Sequence, residues 1–229
     1  MTLDEKQLLF KDVIGASVKD MRNSLGQVLY KLEEAPEFTG QNQQASDALA
    51  EAQYEVIRIE NVVNQLHGLY LLENDSLAVQ RQETYLYELV EDVVANMGSL
   101  LQAKQIDFSI KGEDICWYVD PYLLSCVLQI TLLNAIRYTK DRIAVSLSAH
   151  ENGTMISVID NGQGYPDSVL ESFQALVAGE AVRHISSQNT SWLYCERIAA
   201  LHVNQGKQGY TRLSNDGATG GGRIDIFLP

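Results

Sequence analysis

The sequence predicts an α+β protein in two parts. Three observations carry this: two heptad-spaced apolar seams in the first third of the 229 residues, a change of composition after residue 75, and short β-like runs alternating with helix-like ones from there onward. Ile14, Val18, Met21, Leu25, Val28 and Leu32 recur at spacings of 4, 3, 4, 3 and 4, a coiled-coil seam rather than a loose amphipathic stripe. Pro36 to Gly40 stops that helix, because proline and glycine cannot continue it. A second seam follows at Leu49, Ala52, Val56, Ile59, Val63, Leu66 and Tyr70. Two such helices make an antiparallel hairpin. One hairpin has too little core to stand alone, whereas two side by side bury both seams in a four-helix bundle. A homodimer is therefore expected from residues 1–75, the alternative being a hairpin packed on the rest of its own chain.

The polar break Glu73-Asn74-Asp75-Ser76 separates this part from residues 76–229. Strands are expected at about 78–82, 106–110 and 115–118, with a helix over about 85–104. Asp120-Pro121 has the form of a helix start, leading to a helix over 121–138. Residues 142–149 and 154–160 alternate apolar and polar around Glu151-Asn152-Gly153, a hairpin turn. Helices at about 167–178 and 190–204 and strands at about 208–214 and 222–228 complete an α/β sandwich, with helices on one face of a mixed sheet.

Composition narrows the function. Thirty acidic against 17 basic residues give a net charge of −13, which argues against nucleic-acid or anionic-membrane binding, since those need clustered Lys and Arg. No apolar run approaches the roughly 20 residues of a membrane span. The N-terminus, Met-Thr-Leu-Asp-Glu-Lys, lacks the layout of a secretion signal. Cys116, Cys126 and Cys195 are an odd count without CxxC spacing, so neither a disulfide framework nor a zinc site is expected. His150, His184 and His202 show no ligand spacing with them. A cytoplasmic protein is the expectation, with no sensor, membrane or receiver segment in this sequence.

The chemistry-bearing residues cluster late in the chain. Asp160-Asn161-Gly162-Gln163-Gly164-Tyr165-Pro166 directly follows an expected strand. A carboxylate there can accept from an exocyclic amine, and the glycines let a base approach the backbone; Asp-Asn-Gly is also an ordinary turn. About 25 residues earlier, Asn134 lies mid-helix between apolar residues, a disfavoured place for a carboxamide unless it has a partner. Magnesium bridged to nucleotide phosphates would be one partner, and a core hydrogen bond another.

These runs, with Phe173, the helix stretch Glu196 to His202 and the close Gly220 to Pro229, resemble the ATP-binding domain of sensor histidine kinases, a fold shared with gyrase-type ATPases. The N-terminal hairpin is similar to their dimerisation and phosphotransfer bundle. The resemblance implies that Asp160 reads the adenine amine and that Gly162 and Gly164 line the base pocket. It implies that Asn134 holds magnesium and that Arg137 and Tyr138 lie near the phosphates and the base.

The departures from the family are as informative. Where its first helix carries the phosphate-accepting His, this chain has Lys19-Asp20-Met21-Arg22-Asn23-Ser24-Leu25, with Lys19 at the His position and no His before His67. A neutral imidazole is a nucleophile at cellular pH, whereas a lysine on a wet helix face is almost wholly protonated. His67 adjoins the second seam with no pocket signalled around it. The family's glycine-rich lid, whose amides cradle phosphates, is replaced at Ser187, Asn189 and Ser191, followed by Trp192. Ile130 stands where the family has a polar residue. The expectation is a degenerate histidine kinase. Whether ATP or ADP binds with magnesium turns on two opposed features, an intact adenine end and an altered phosphate end. Three readings of function follow: a two-component protein without autokinase activity that binds a response regulator receiver domain or a partner histidine kinase; a response-regulator phosphatase in a phosphorelay, using Asn23 to orient water beside Asp20; or a scaffold that sequesters a kinase in heterodimers.

Overall fold

The computed structural model describes residues 21, 25–26, 28–30, 32, 43–74, 76–178, 187–216 and 220–229. The chain divides into two compact units, Met1–Leu77 and Ala78–Pro229.

In the first unit, Met21, Leu25, Gly26, Val28, Leu29, Tyr30 and Leu32 are helical, and α1 runs over Gln43–Glu73. The expected loop at Pro36 to Gly40 and the run Lys19, Asp20 and Asn23 lie outside the described residues. The buried face of α1 is set by Ala50, Gln53, Tyr54, Asn61 and Gln65. The heptad seams lie elsewhere: Met21, Val28, Ile59 and Leu66 are 44–56% exposed in the single chain.

The second unit contains β1 (Gln82–Tyr85), α2 (Leu86–Ala95), α3 (Gly98–Ala103), β2 (Asp107–Gly112) and β3 (Cys116–Val119). After these come α4 (Pro121–Tyr138), β4 (Arg142–His150), β5 (Gly153–Asp160), α5 (Asp167–Val177) and α6 (Ser187–Leu201). The short pair β6 (Val203–Asn204) and β7 (Lys207–Gln208) precedes β8 (Tyr210–Ser214) and β9 (Arg223–Leu228). Five strands form a mixed sheet in the order β2-β4-β5-β9-β8; β2 runs parallel to β4 and the remaining neighbours pair antiparallel. Strand alternation sends Ile143, Val145, Leu147, Ile156, Val158, Ile224, Ile226 and Leu228 into the core. There α4 contributes Leu124, Leu128 and Leu132. The fold is a mixed α/β sandwich.

Two expected elements differ. The strand placed at 78–82 forms instead at β1, which pairs only with β3 in register Gln82↔Val119. Upstream of it the polar backbone is satisfied by side chains and loops: the Gln80 amide donates to Asp120 Oδ2 at 2.7 Å. The helix expected over 85–104 breaks between α2 and α3 at Asn96 and Met97. Asparagine and glycine are poor helix formers, and Asn96-Met97-Gly98 places both within three residues. The β6–β7 pair was not expected from the sequence.

The start of α4 anchors the unit. Asp120 caps the helix, its Oδ1 accepting from the Leu123 amide at 3.0 Å, as an N-cap carboxylate does. The Asp120 amide in turn donates to His202 Nε2 at 3.1 Å. These bonds tie the start of α4 to the end of α6.

Candidate functional site

The end of β5, the C-terminal half of α4 and the glycines before β9 enclose a cavity of about 70 Å³. Its lining is Asn134, Tyr138, Asp160, Gly164, Tyr165, Pro166 and Gly222. Asp160 ends β5 with its amide bonded to the Gly222 carbonyl at 2.9 Å. Its carboxylate Oδ1 accepts from the amides of Gly162 at 2.7 Å and Gly222 at 3.2 Å. Burial raises its pKa above the ordinary carboxylate value, and the two amides pull the other way.

Among the described residues Asp160 is one of three buried carboxylates, with Asp120 and Asp225, and it differs from both. Asp120 uses one oxygen as a helix cap and the other on the Gln80 amide. Asp225 is paired with Arg223, N···O 2.7 Å, and accepts from the Ser157 hydroxyl at 2.6 Å. Asp160 has no cation on it among the described residues, and its Oδ2 accepts no hydrogen bond from any of them. A buried carboxylate with a spare oxygen at a cavity wall suits a neutral donor such as an exocyclic amine.

The flanking loop explains the glycines. A Cβ on Gly162 would lie 2.0 Å from the Tyr138 carbonyl oxygen, so this glycine is required by the close passage of α4's last turn. Gly162 sits behind Asp160 and does not line the cavity. Gly164 does, at φ +77°, a left-handed conformation that favours glycine. A Cβ on Gly222 would meet Asp160 Oδ2 at 2.6 Å and the Tyr165 ring at 3.1 Å. Asn161 ties the end of β5 to the end of α4, accepting from Thr139 Oγ1 at 2.9 Å and the Arg142 amide at 3.0 Å.

The structure thus brings Asn134, Tyr138, Asp160 and Gly164 to one cavity, with Gly162 supporting Asp160 from behind. Arg137 is not in the lining; its guanidinium lies over the Tyr138 ring, 5.4 Å from the centroid, a cation–π contact. Ile130, one turn before Asn134, is buried. Ser187, Asn189 and Ser191 lie in the first turns of α6. His184 and the rest of the lid region lie outside the described residues. His67 is half-buried on α1. Among the described residues, no group of three His, Cys, Asp or Glu is placed to hold a metal ion.

Tyr165, Pro166, Gly222 and Asn215 were not assigned roles from the sequence. Tyr165 is 8% exposed. Asn215 clamps its backbone from both sides, accepting from the Tyr165 amide at 2.7 Å and donating to its carbonyl at 3.0 Å. Its ring meets Trp192 edge-on, centroids 5.8 Å apart. Burial above all, then the Asp160 charge, raises the Tyr165 pKa far above the ordinary phenol value, so the hydroxyl is neutral. The Asn134 side chain, donating to that hydroxyl, pulls the other way.

A mixed five-stranded sheet with its helices, a carboxylate at the end of a central strand and a glycine-rich closing turn define an ATPase fold of the histidine kinase type. Residues 119–229 match the histidine kinase-, DNA gyrase B-, and HSP90-like ATPase family; this half of the chain is a domain of that family, and the chain carries a histidine kinase core. The adaptive-response sensory kinase SasA of Synechococcus elongatus is 23% identical over 217 residues, covering 89% of this chain and 56% of that protein. The sensor histidine kinase CssS of Bacillus subtilis is 28% identical over 120 residues, covering 52% and 26%. The chain therefore spans about half or less of the curated relatives it matches.

Solved structures agree on the fold. The Acinetobacter baumannii histidine kinase AdeS superposes with a TM-score of 0.59 at 16% identity, over 90% of this chain and 95% of that one. Full-length ShkA in complex with AMPPNP gives 0.61 at 16%, over 95% and 45%. The catalytic domain of the histidine kinase ThkA gives 0.53 at 20%, over 66% and 97%. No helix among the described residues is long and apolar enough to cross a membrane.

Proposed function

We propose that this chain is a cytoplasmic, homodimeric two-component signalling protein that lacks autokinase activity and acts by binding a response regulator or a partner histidine kinase through its helical unit. The observation that carries this is Lys19 in the run Lys19-Asp20-Met21-Arg22-Asn23-Ser24-Leu25, with no histidine before His67. A protonated ammonium has no lone pair to take a phosphoryl group. The exposure of Met21, Val28, Ile59 and Leu66 in the single chain supports a second copy on the seams, because apolar heptad positions are buried by a partner.

The ATPase-type domain acts as a nucleotide sensor, with Asp160 taking the adenine amine at the cavity wall. The residues fit the base end of an adenine nucleotide: a spare carboxylate oxygen, a Gly164 backbone and the Gly222 cradle line it. Incubation of the purified dimer with labelled ATP is the test. Retention of no label supports the reading, and stable label on the chain overturns it.

Retention of Asp20 and Asn23 beside the lost histidine favours a second reading, a phosphatase for a phosphorylated response regulator, since orienting one water needs a carboxamide and not an imidazole. Under it, Asn23→Ala abolishes regulator dephosphorylation while leaving the dimer intact.

A further inference from the structure

We propose that the outer face of the β1–β3 ribbon is a docking surface for a basic segment of a partner protein, whose arginine side chains are taken between Tyr85 and Tyr118 beside Glu83. The two strands pair only with each other, and their register fixes which side chains share a face. Glu83 stands opposite Tyr118, and Tyr85 opposite Cys116. Because side chains alternate along a strand, these four lie on one side. The other side carries Thr84 and Trp117, both half-buried, and Trp117 Nε1 donates to the Pro229 carbonyl at 3.3 Å. The ribbon is thus turned with Trp117 toward the end of β9 and its tyrosines outward. Tyr118 is 62% and Tyr85 53% exposed.

Tyrosine gives a wide contact area for only two side-chain torsions, so it binds a partner at low ordering cost. Tyr85 and Tyr118 are diagonal neighbours on the face, a separation of about 7–8 Å that admits a planar guanidinium between two rings. Charge decides the sign of the occupant. The stretches 82–103 and 112–136 contain no Lys or Arg, yet they expose Glu83, Glu88, Glu91, Asp92, Glu113 and Asp114. Among the described residues, none of these six carboxylates makes an ion pair. Glu83 lies in the tyrosine face itself. A carboxylate beside two rings whose π-faces are negative repels anions and attracts guanidinium and ammonium groups.

Arginine fits this face better than lysine, because its planar fork stacks on a ring and pairs with a carboxylate at the same time. The face is open and lies outside the cavity at Asp160. It therefore suits a segment of chain rather than a small molecule, which needs a concave site. Nucleic acid is turned away by the same carboxylates, since its phosphates require cations. Occupancy of the ribbon can be measured without any nucleotide present.

The test is fluorescence anisotropy at physiological ionic strength with a labelled peptide of alternating arginine and glycine, beside its lysine and glutamate versions. The proteins are the parent, Tyr118→Ala, Glu83→Gln and Glu171→Gln, the last removing the same charge from an exposed position on α5. The parent should bind the arginine peptide more tightly than the lysine peptide and leave the glutamate peptide free. Tyr118→Ala should weaken arginine-peptide binding about fivefold and Glu83→Gln about threefold, while Glu171→Gln changes it by less than about 1.5-fold. Alkylation of the exposed Cys116, followed by mass spectrometry, should slow severalfold when the arginine peptide saturates the parent, because access governs thiol reactivity. A parent that binds none of the peptides overturns the proposal. So does a Glu171→Gln loss equal to that of Glu83→Gln, which would make the attraction one of net charge alone. Unchanged alkylation of Cys116 at saturation places the peptide elsewhere and overturns it as well.

Discussion

Tyr165 meets Trp192 edge to face, ring centroids 5.8 Å apart and planes at 87°, a favoured aromatic geometry. Trp192 is among the largest fully buried side chains, yet its indole N–H is buried and finds no hydrogen-bond partner among the described residues. An unsatisfied buried donor costs about 1–3 kcal/mol, so the ring is kept here for its shape. Trp192→Ala should lower unfolding stability by about 3–5 kcal/mol through the cavity it leaves. Trp192→Phe should cost under about 2 kcal/mol, because the lost volume is offset by removal of the stranded donor. Urea denaturation of both variants checks the ordering; a phenylalanine variant as unstable as the alanine variant would refute it.

Asp160 is buried at a cost to stability. Burial raises its pKa, so the folded state holds its proton more tightly than the unfolded chain does. The stability this group lends is full below the ordinary carboxylate value and is lost as pH rises through the raised value. At pH 7 the ionised form therefore weighs against folding. Asp160→Asn keeps an oxygen for the Gly162 and Gly222 amides and removes the charge. It should be as stable as the parent or more so at pH 7 by thermal melting, while losing adenine nucleotide binding by calorimetry. A variant that is clearly less stable would show that the carboxylate is structural.

Gly162 and Gly98 make a contrasting pair. A Cβ on Gly162 would sit 2.0 Å from the Tyr138 carbonyl oxygen, whereas one on Gly98 would meet nothing within 4 Å. Gly162→Ala has to displace backbone and should cost about 2 kcal/mol or more. Gly98→Ala, at the first position of α3, should be neutral or stabilising by up to about 1 kcal/mol. Chemical denaturation curves measured side by side would separate them.

Local signals were enough to read most of the second unit. Asp120-Pro121 marked the start of α4 because a capping carboxylate followed by proline is a purely local device, and the helix runs Pro121–Tyr138 as expected. The β4–β5 hairpin was equally legible, since Glu151-Asn152-Gly153 and the alternation on either side lie within one short stretch. The strand at 78–82 was misplaced because pairing with β3, about 35 residues away, decides which residues of that stretch form a ladder. At the site, Asp160 and Asn134 could be singled out by residue type and setting. Tyr165 could not: a tyrosine after a glycine carries no signal until Asn215 and Trp192, about 50 and 27 residues later, are seen to hold it.

His202 gives the unit a pH dependence whose sign the hydrogen bonds fix. Its Nδ1 lies 2.9 Å from the Ile198 carbonyl and its Nε2 accepts from the Asp120 amide, so the ring is neutral with its proton on Nδ1. Protonating Nε2 would destroy the acceptor that the Asp120 amide needs. Burial is the largest cause of the lowered His202 pKa; the nearby Arg81 adds to it, while the Ile198 carbonyl and Asp120 oppose it. Between the lowered folded value and the ordinary value near 6.5, the unfolded chain binds more protons than the folded one, so stability rises with pH across that window. The contribution is complete above about pH 6.5 and is lost as pH falls through the folded value. Denaturation of the parent at pH 7.5 and pH 5 should therefore show a loss that is smaller in His202→Gln, even though that variant starts from a lower stability. Every other group is common to the two proteins and cancels in the comparison. Equal losses in the two proteins would mean that His202 carries its proton in the fold, and that the Asp120 amide has another acceptor at low pH.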